Sequence, residues 1–206
     1  DCPFDVVQEA LNSIGICFLM APRHLVAMKH VGPARVQLGI RTIFNLLGPL
    51  SNPAFVKRQM VGVFDKKWLH PFAEALNKMG SSHAWIIHGR DGLDEVSISD
   101  KTDVVQLKNG VIEELVIEPE EYGYKKVKLE TIKGGNPKYN ALELRGLLEG
   151  KEGPYKDIVL LNSAAAMVGS GHENDFGQAL NRSKTSLESG KALKKLEGLI
   201  SITNNK

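Results

Sequence analysis

No apolar run in this chain approaches the roughly 20 residues that a helix needs to cross a bilayer, and the N-terminus has no charged-then-apolar leader. Cysteine is nearly absent. Cys2 and Cys17 are the only two, in neither a pairing nor a metal-ligand spacing, which fits a reducing compartment and makes cytoplasm the expected location. A dominant charge sign is missing too: 26 Lys and Arg oppose 24 Asp and Glu, a formal charge of +2. That leaves no basic field to drive nucleic-acid or anionic-membrane binding and points to small-molecule partners. Internal repeats, low-complexity tracts and linkers are also absent. An initiator methionine is lacking as well. The chain opens on Asp1-Cys2-Pro3, already at what reads as a helix start, so residues belonging in front of it are expected to be missing.

What is present is enough apolar residue, 42% of 206, for one substantial core or a core with a small appendage. Asp1 can cap a helix with Val6, Val7, Ala10, Leu11 and Ile14 at helical spacing, ended by Gly15. Ile16 to Met20 has strand length, and His24 to Leu38 reads as helix broken at Gly32-Pro33. Arg41 to Ala54 is rich in Gly, Pro and Asn yet apolar, which predicts a buried, shaped connection of the kind that forms hinges or pocket walls. From residue 59 the order becomes regular. Strand Gln59–Phe64, helix Trp68–Met79 and strand Ala84–His88 imply a parallel pair. Val96–Ser99 and Val104–Leu107 read as further strands, and Asn109-Gly110 as a hairpin turn into Val111–Ile117. Helices follow at Ala141–Leu148, Asp157–Gly169, Asp175–Ser189 and Lys191–Ile200. The expected class is α/β, a largely parallel central sheet flanked by helices with an antiparallel hairpin.

The residues with most chemical promise are Asp94 and Glu95, in the run Asp-Gly-Leu-Asp-Glu-Val-Ser at 91–97. Adjacent carboxylates behind a glycine turn suit a magnesium ion, which keeps several waters and bridges protein carboxylates to a substrate's phosphates. An ordinary solvated hairpin would look the same. His83 and His88 fall on opposite faces of one strand and read as structural. The run His172-Glu173-Asn174-Asp175 reads as a helix entry, and Ala164–Ala166 as small residues for close helix packing. No Ser-His or Cys-His arrangement has an elbow or helix context that would make a nucleophile.

The run HLVAMKHVGPARVQLGIRTIFNLLGPLSNPA at 24–54 resembles the central segment of the anthranilate phosphoribosyltransferases, the tryptophan-pathway members of a class that includes the pyrimidine nucleoside phosphorylases. The DGLDEVS turn, NSAAAM at 162–167 and SGKALKKLEGLI at 189–200 agree with that family in order and approximate spacing. Family members also carry a front helical domain, a Gly-Thr-Gly-Gly-Asp turn and a Lys-His-Gly-Asn-Arg segment, so the resemblance is to the C-terminal part. It implies a helical segment and hinge over 1–55, completing an acceptor site, and an α/β phosphoribosyl-transferring domain over 56–206. The implied reaction moves a phosphoribosyl group from phosphoribosyl pyrophosphate to the amino nitrogen of anthranilate, with Mg2+ as cofactor and pyrophosphate as the second product. A homodimer is implied for the intact enzyme, and a chain without the front turn should turn over slowly or not at all.

Carried over residue by residue, Asp94 and Glu95 would be the metal-binding pair, and Arg35 would hold the anthranilate carboxylate with two parallel donors. Gly48 and Pro49 would wall the anthranilate path, with Asn45 and Asn52 beside them; without the resemblance, Arg35 is a solvated helix charge and the rest a packed turn. One stretch departs from the family. His-His-Pro-Ala-Met-Lys is usual, but here the order is His24-Leu25-Val26-Ala27-Met28-Lys29, which leaves His24 as the nearest imidazole. The loss of the second histidine keeps open a nucleoside phosphorylase-like or other aromatic-acceptor activity, and a non-catalytic binding remnant.

Overall fold

The structure, a computed structural model, describes residues 2–20, 32–40 and 42–204, except the side chains of 34–36. It divides into two compact units, Asp1–Val56 with Lys191–Lys206, and Lys57–Gly190.

In the first unit, α1 (Phe4–Ile14) buries Val6, Val7 and Ala10 on one face. Gly15 ends it at φ 77, a left-handed conformation open to glycine, and returns its N–H to the Leu11 carbonyl. Helix α2 spans Gly32–Leu38 and α3 spans Phe44–Leu50. The expected cap Asp1 and most of the run from His24 lie outside the described residues. Two expectations fail in this unit. Ile16–Met20 forms no strand, because no neighbour among the described residues pairs with it and Ile16, Phe18 and Met20 are exposed. The connection around α3 is not buried: Leu46 alone is enclosed among its described residues, while Ile43 and Phe55 are exposed.

The second unit holds the sheet. Strands β1 (Arg58–Gly62), β2 (His83–Gly89), β3 (Thr102–Lys108) and β4 (Val111–Ile117) lie in the order β1-β2-β3-β4. Helix α4 (Leu69–Lys78) crosses between β1 and β2, which pair parallel as strand-helix-strand order requires. The other two pairings are antiparallel, so the sheet is mixed. Asn109 and Gly110, at φ 50 and 87, make the two-residue turn joining Lys108 to Val111, the left-handed pair that matches strand twist.

Alternation along β2 sends Ala84 and Ile86 to one face and Trp85 and Ile87 to the other. Helix α4 packs on β2 and β3 through Leu69, Phe72, Ala73 and Leu76. The opposite face meets α6 (Pro154–Gly169) and α7 (Phe176–Glu188), where Leu161, Ala164, Ala165 and Phe176 join Trp85 and Ile87 in the main core. Of the small residues expected at 164–166 to allow close packing, Ala164 and Ala165 do so, while Ala166 is exposed. Gly169 lets helix and strand approach further still, since a Cβ there would stand 2.9 Å from that of Trp85.

Helix α5 (Pro137–Leu148) precedes these, capped by Asn136, whose side chain accepts from the Tyr139 N–H. Asp175 caps α7 through the Gln178 N–H, so the helix entry read at 172–175 is there. Helix α8 (Lys191–Asn204) closes the chain and packs on α1 in the first unit.

Candidate functional site

Both parallel strands end in glycine, β1 at Gly62 and β2 at Gly89. Their carboxyl ends face the loop 90–101 that leads to β3. In open α/β sheets this is where ligands are held. Val96–Ser99, expected as a strand, is part of that loop. Val96, Ser97 and Ile98 are buried as a strand's would be, but both backbone groups of Val96 and the Ser97 N–H bond to side chains, and no ladder forms.

Three sets of contacts fix the loop. At its start the Asp91 carboxylate accepts from the hydroxyls of Ser97 and Ser99 and from the Leu93 N–H at 3.2 Å, while the Gly89 N–H donates to the Leu93 carbonyl at 2.7 Å. At its centre the Asn162 amide on α6 binds both backbone groups of Val96 at 2.9 Å each. At its end the Thr102 hydroxyl accepts from the Ser97 N–H at 2.9 Å. Beneath it, the Asp94 backbone occupies the space a side chain on Gly62 would fill.

This framework presents Asp94 and Glu95 side by side on the surface. The ion pairs nearby fall elsewhere: Arg90 and Lys66 engage Asp103, and Lys101 and Lys126 engage Glu118. Neither Asp94 nor Glu95 is in an ion pair among the described residues. Glu95 is accessible as a residue, yet its carboxyl sits low enough against the loop that burial pushes its pKa above the usual carboxylate value, and the Asp94 charge adds to the rise. A cation seated there would offset both the burial of the carboxylate and the repulsion from Asp94. No cluster of three or more His, Cys, Asp or Glu side chains surrounds the pair or occurs elsewhere among the described residues. Two carboxylates without a full protein cage fit magnesium, which keeps waters and substrate oxygens as its remaining ligands, better than zinc or calcium.

The other sequence candidates lie in the first unit. His24 lies outside the described residues. Arg35 sits on α2, and its side chain is likewise outside them. Asn45 enters α3, where its side chain accepts from the Thr42 N–H and its own N–H donates to the Thr42 carbonyl, both at 2.9 Å. Asn52 accepts from the Ala54 N–H at 2.9 Å. Gly48 and Pro49 are half-buried on α3, and open space stands where a Gly48 Cβ would be.

His83 and His88 keep structural partners. The His88 ring nitrogen Nδ1 lies 2.8 Å from the Val63 carbonyl, and His83 is held below the usual imidazole pKa by burial, then by Arg58 and Lys108.

Asn162, Asp91, Ser97, Ser99 and Gly62 were not foreseen as site residues. For Asn162 the only signal was its place at the head of the NSAAAM run.

This α/β scaffold with an acidic loop at its strand ends belongs to the glycosyl transferase family, a/b domain, whose model matches residues 2–193. Its relatives carry a narrower name. An anthranilate phosphoribosyltransferase from Rhodopseudomonas palustris (strain TIE-1) is 48% identical over 197 residues, 96% of this chain and 58% of the relative. One from Azospirillum brasilense is 49% identical over 205 residues, 100% of this chain and 57% of the relative. The crystal structure of anthranilate phosphoribosyltransferase from Thermus thermophilus superposes with a TM-score of 0.90 at 38% identity, covering 98% of this chain and 60% of that one. That from Saccharomyces cerevisiae in complex with PRPP and Mg gives 0.88 at 30%, covering 98% and 58%. The resemblance read from the motifs is therefore shown, and the chain spans under two thirds of the length of these relatives.

Proposed function

We propose that this chain is the metal- and acceptor-binding part of an anthranilate phosphoribosyltransferase, transferring phosphoribosyl from phosphoribosyl pyrophosphate to anthranilate in tryptophan biosynthesis. The observation that carries the reading is the Asp94–Glu95 pair: two neighbouring carboxylates at the strand ends, one partly buried, neither taken by a lysine or arginine among the described residues. Relatives near 48% identity bearing that enzyme name, and a neighbour described with PRPP and Mg, support it.

In the proposed reaction pyrophosphate leaves as the anomeric carbon gains positive character. Magnesium supplies a charge that neutralises the departing oxygens and a template that orients them. Asp94 and Glu95 would hold it, with Glu95 ionised. Arg35 would bind the anthranilate carboxylate, with Asn45, Gly48, Pro49 and His24 completing the acceptor side. Residues 1–55 would then serve the acceptor, and 56–206 the phosphoribosyl donor. Positioning and charge stabilisation supply most of the rate in such transfers.

A cytoplasmic location goes with this reading, supported by the two unpaired cysteines. No described helix is long and apolar enough to cross a membrane. A homodimer is the assembly that the resemblance implies for the intact enzyme, and sedimentation velocity tests it.

The deciding experiment is calorimetry on the full-length polypeptide that carries this sequence. Phosphoribosyl pyrophosphate should bind only with Mg2+ present, and Asp94→Asn with Glu95→Gln should abolish that magnesium-dependent binding. Magnesium-independent binding, or none, defeats the reading. Anthranilate failing to bind while the donor does would shift it to another aromatic acceptor, the alternative that Leu25 and Val26 raise.

A further inference from the structure

The peptides on either side of Val96 belong to no strand or helix, yet both are held by hydrogen bonds. Val96 is fully buried, so its N–H and carbonyl have no water to bond with and need protein partners. Both partners come from one side chain. The Val96 N–H donates to Asn162 Oδ1 at 2.9 Å, and Asn162 Nδ2 donates to the Val96 carbonyl at 2.9 Å. A second bond from Nδ2, to the Ile158 carbonyl at 2.9 Å one turn back on α6, locks the amide in place. Only one amide orientation satisfies all three, because the oxygen can only accept and the nitrogen can only donate.

We propose that Asn162 is a positioning residue for the acidic pair. It sets the plane of the 95–96 peptide and so the direction in which Glu95 leaves the loop beside Asp94. This rests on the proposed metal role of the pair. Asn162 touches no substrate and acts through the backbone.

Two features speak against a purely structural task. The α6 residues that share its buried side are apolar, Ile158, Leu161 and Ala165 among them, and a leucine of the same branched shape would bury there and favour the helix more. A part-buried amide is tolerated only when fully bonded. What the amide adds is a fixed loop, and the loop's load is two carboxylates whose mutual repulsion would otherwise swing them apart. Asp91 and Gly62 hold that loop at other points, so the loop does not depend on Asn162 for its existence, only for its register at Glu95.

The test uses Asn162→Leu and Asn162→Asp in the full-length polypeptide, with Mg2+ titrated against phosphoribosyl pyrophosphate by calorimetry and hydrogen exchange followed at 94–97. Asn162→Leu removes all three bonds. Asn162→Asp keeps the acceptor for the Val96 N–H and loses both donors, and serves if the leucine variant does not fold. The expected result is a rise of about 10- to 100-fold in the Mg2+ concentration for half-maximal binding in Asn162→Leu, the range typical of residues that orient metal ligands. Asn162→Asp should show a smaller rise. Faster exchange at the Val96 amide should accompany the shift in Asn162→Leu, which loses its acceptor, with circular dichroism unchanged in both. A merely structural role would lower the unfolding midpoint and leave the Mg2+ midpoint of the folded fraction at the wild-type value, and that result overturns the proposal. If wild type itself shows no Mg2+-dependent binding, the proposed function fails, which is a separate outcome read from a separate sample.

Discussion

A methyl group placed on Gly62 would stand 1.6 Å from the carbonyl oxygen of Asp94. The end of β1 and the acidic loop thus share a space that only glycine leaves free. Because Gly62 has an ordinary negative φ, the requirement is one of volume and not of backbone conformation. Gly62→Ala must therefore push the loop, since the atom in the way is backbone and cannot rotate aside. Overpacking of this kind costs about 1–3 kcal/mol. We expect a lowered unfolding midpoint together with weaker Mg2+-dependent binding of phosphoribosyl pyrophosphate, checked by thermal melts and calorimetry on the same preparation. An alanine variant that binds as wild type does would show that the loop's height above β1 is immaterial.

The raised pKa of Glu95 has two consequences of opposite sign. A carboxyl whose folded-state pKa lies above its unfolded value holds its proton longer in the native state, so stability falls as pH rises through that window. At neutral pH the charged pair strains the fold. Glu95→Gln should melt at or above the wild-type temperature at pH 7, and the difference should shrink as pH is lowered toward the ordinary carboxylate range. Metal binding runs the other way, because protons compete with the cation for the same oxygens. Its loss on acidification should begin at a higher pH than an ordinary glutamate would give, and Asp94→Asn should lower that midpoint. A wild-type protein whose Mg2+ dependence is flat across this range would contradict the assignment.

Asp103 titrates in the opposite sense. Its carboxyl is held below the usual value chiefly by the hydrogen bonds from Arg90, with Lys66 adding to them against the cost of burial. Such a group contributes stability that is complete above the ordinary aspartate pKa and disappears as pH falls through the lower, folded value. Asp103→Asn should lower the melting temperature at pH 7 by roughly 2–4 °C, the shift expected for one modest interaction in a domain of this size. The gap to wild type should close below pH 4. Equal melting at pH 7 would mean that the guanidinium contact contributes nothing.

Much of this fold could be read from the chain because it is locally encoded. Asn109-Gly110 supplies its own left-handed turn, Gly15 its own helix end, and Asp175 its own cap, whatever surrounds them. The stretch 96–99 misled for a physical reason. Val96 and Ile98 alternate with Ser97 and Ser99 at strand period and are buried like a strand, but the Val96 and Ser97 backbone groups that would start a ladder are taken by Asn162 and Thr102. Asn162 stands 66 residues from Val96, so no local pattern connects them. The Ile16–Met20 run failed similarly: strand propensity with no neighbouring strand among the described residues makes none. The acidic pair could be proposed from the chain because the two carboxylates are adjacent residues, whereas the framework that holds them depends on tertiary contacts.

Gly169 offers a control at the other end of β2. It lies in the last turn of α6 against Trp85, whose Cβ and Cγ would be 2.9 and 3.1 Å from an added methyl. Alanine there gains about 1 kcal/mol of helix propensity over glycine. Crowding against a buried indole costs about 1–3 kcal/mol, and the ring has little room to yield, since it is stacked on Phe176 at 6.1 Å and its N–H donates to Gln106 at 2.9 Å. The crowding term is the larger, so Gly169→Ala should destabilise by about 1 kcal/mol, read from urea midpoints at constant slope. Trp85 lies four residues before the end of β2, and Gly169 seven residues beyond Asn162 on α6, so the acidic loop should keep its geometry. The Mg2+ midpoint for phosphoribosyl pyrophosphate should remain at the wild-type value while the urea midpoint falls. If both moved together, the Asn162 and Gly62 variants could no longer be read as local effects on the loop, because any loss of stability in this unit would reach the carboxylates.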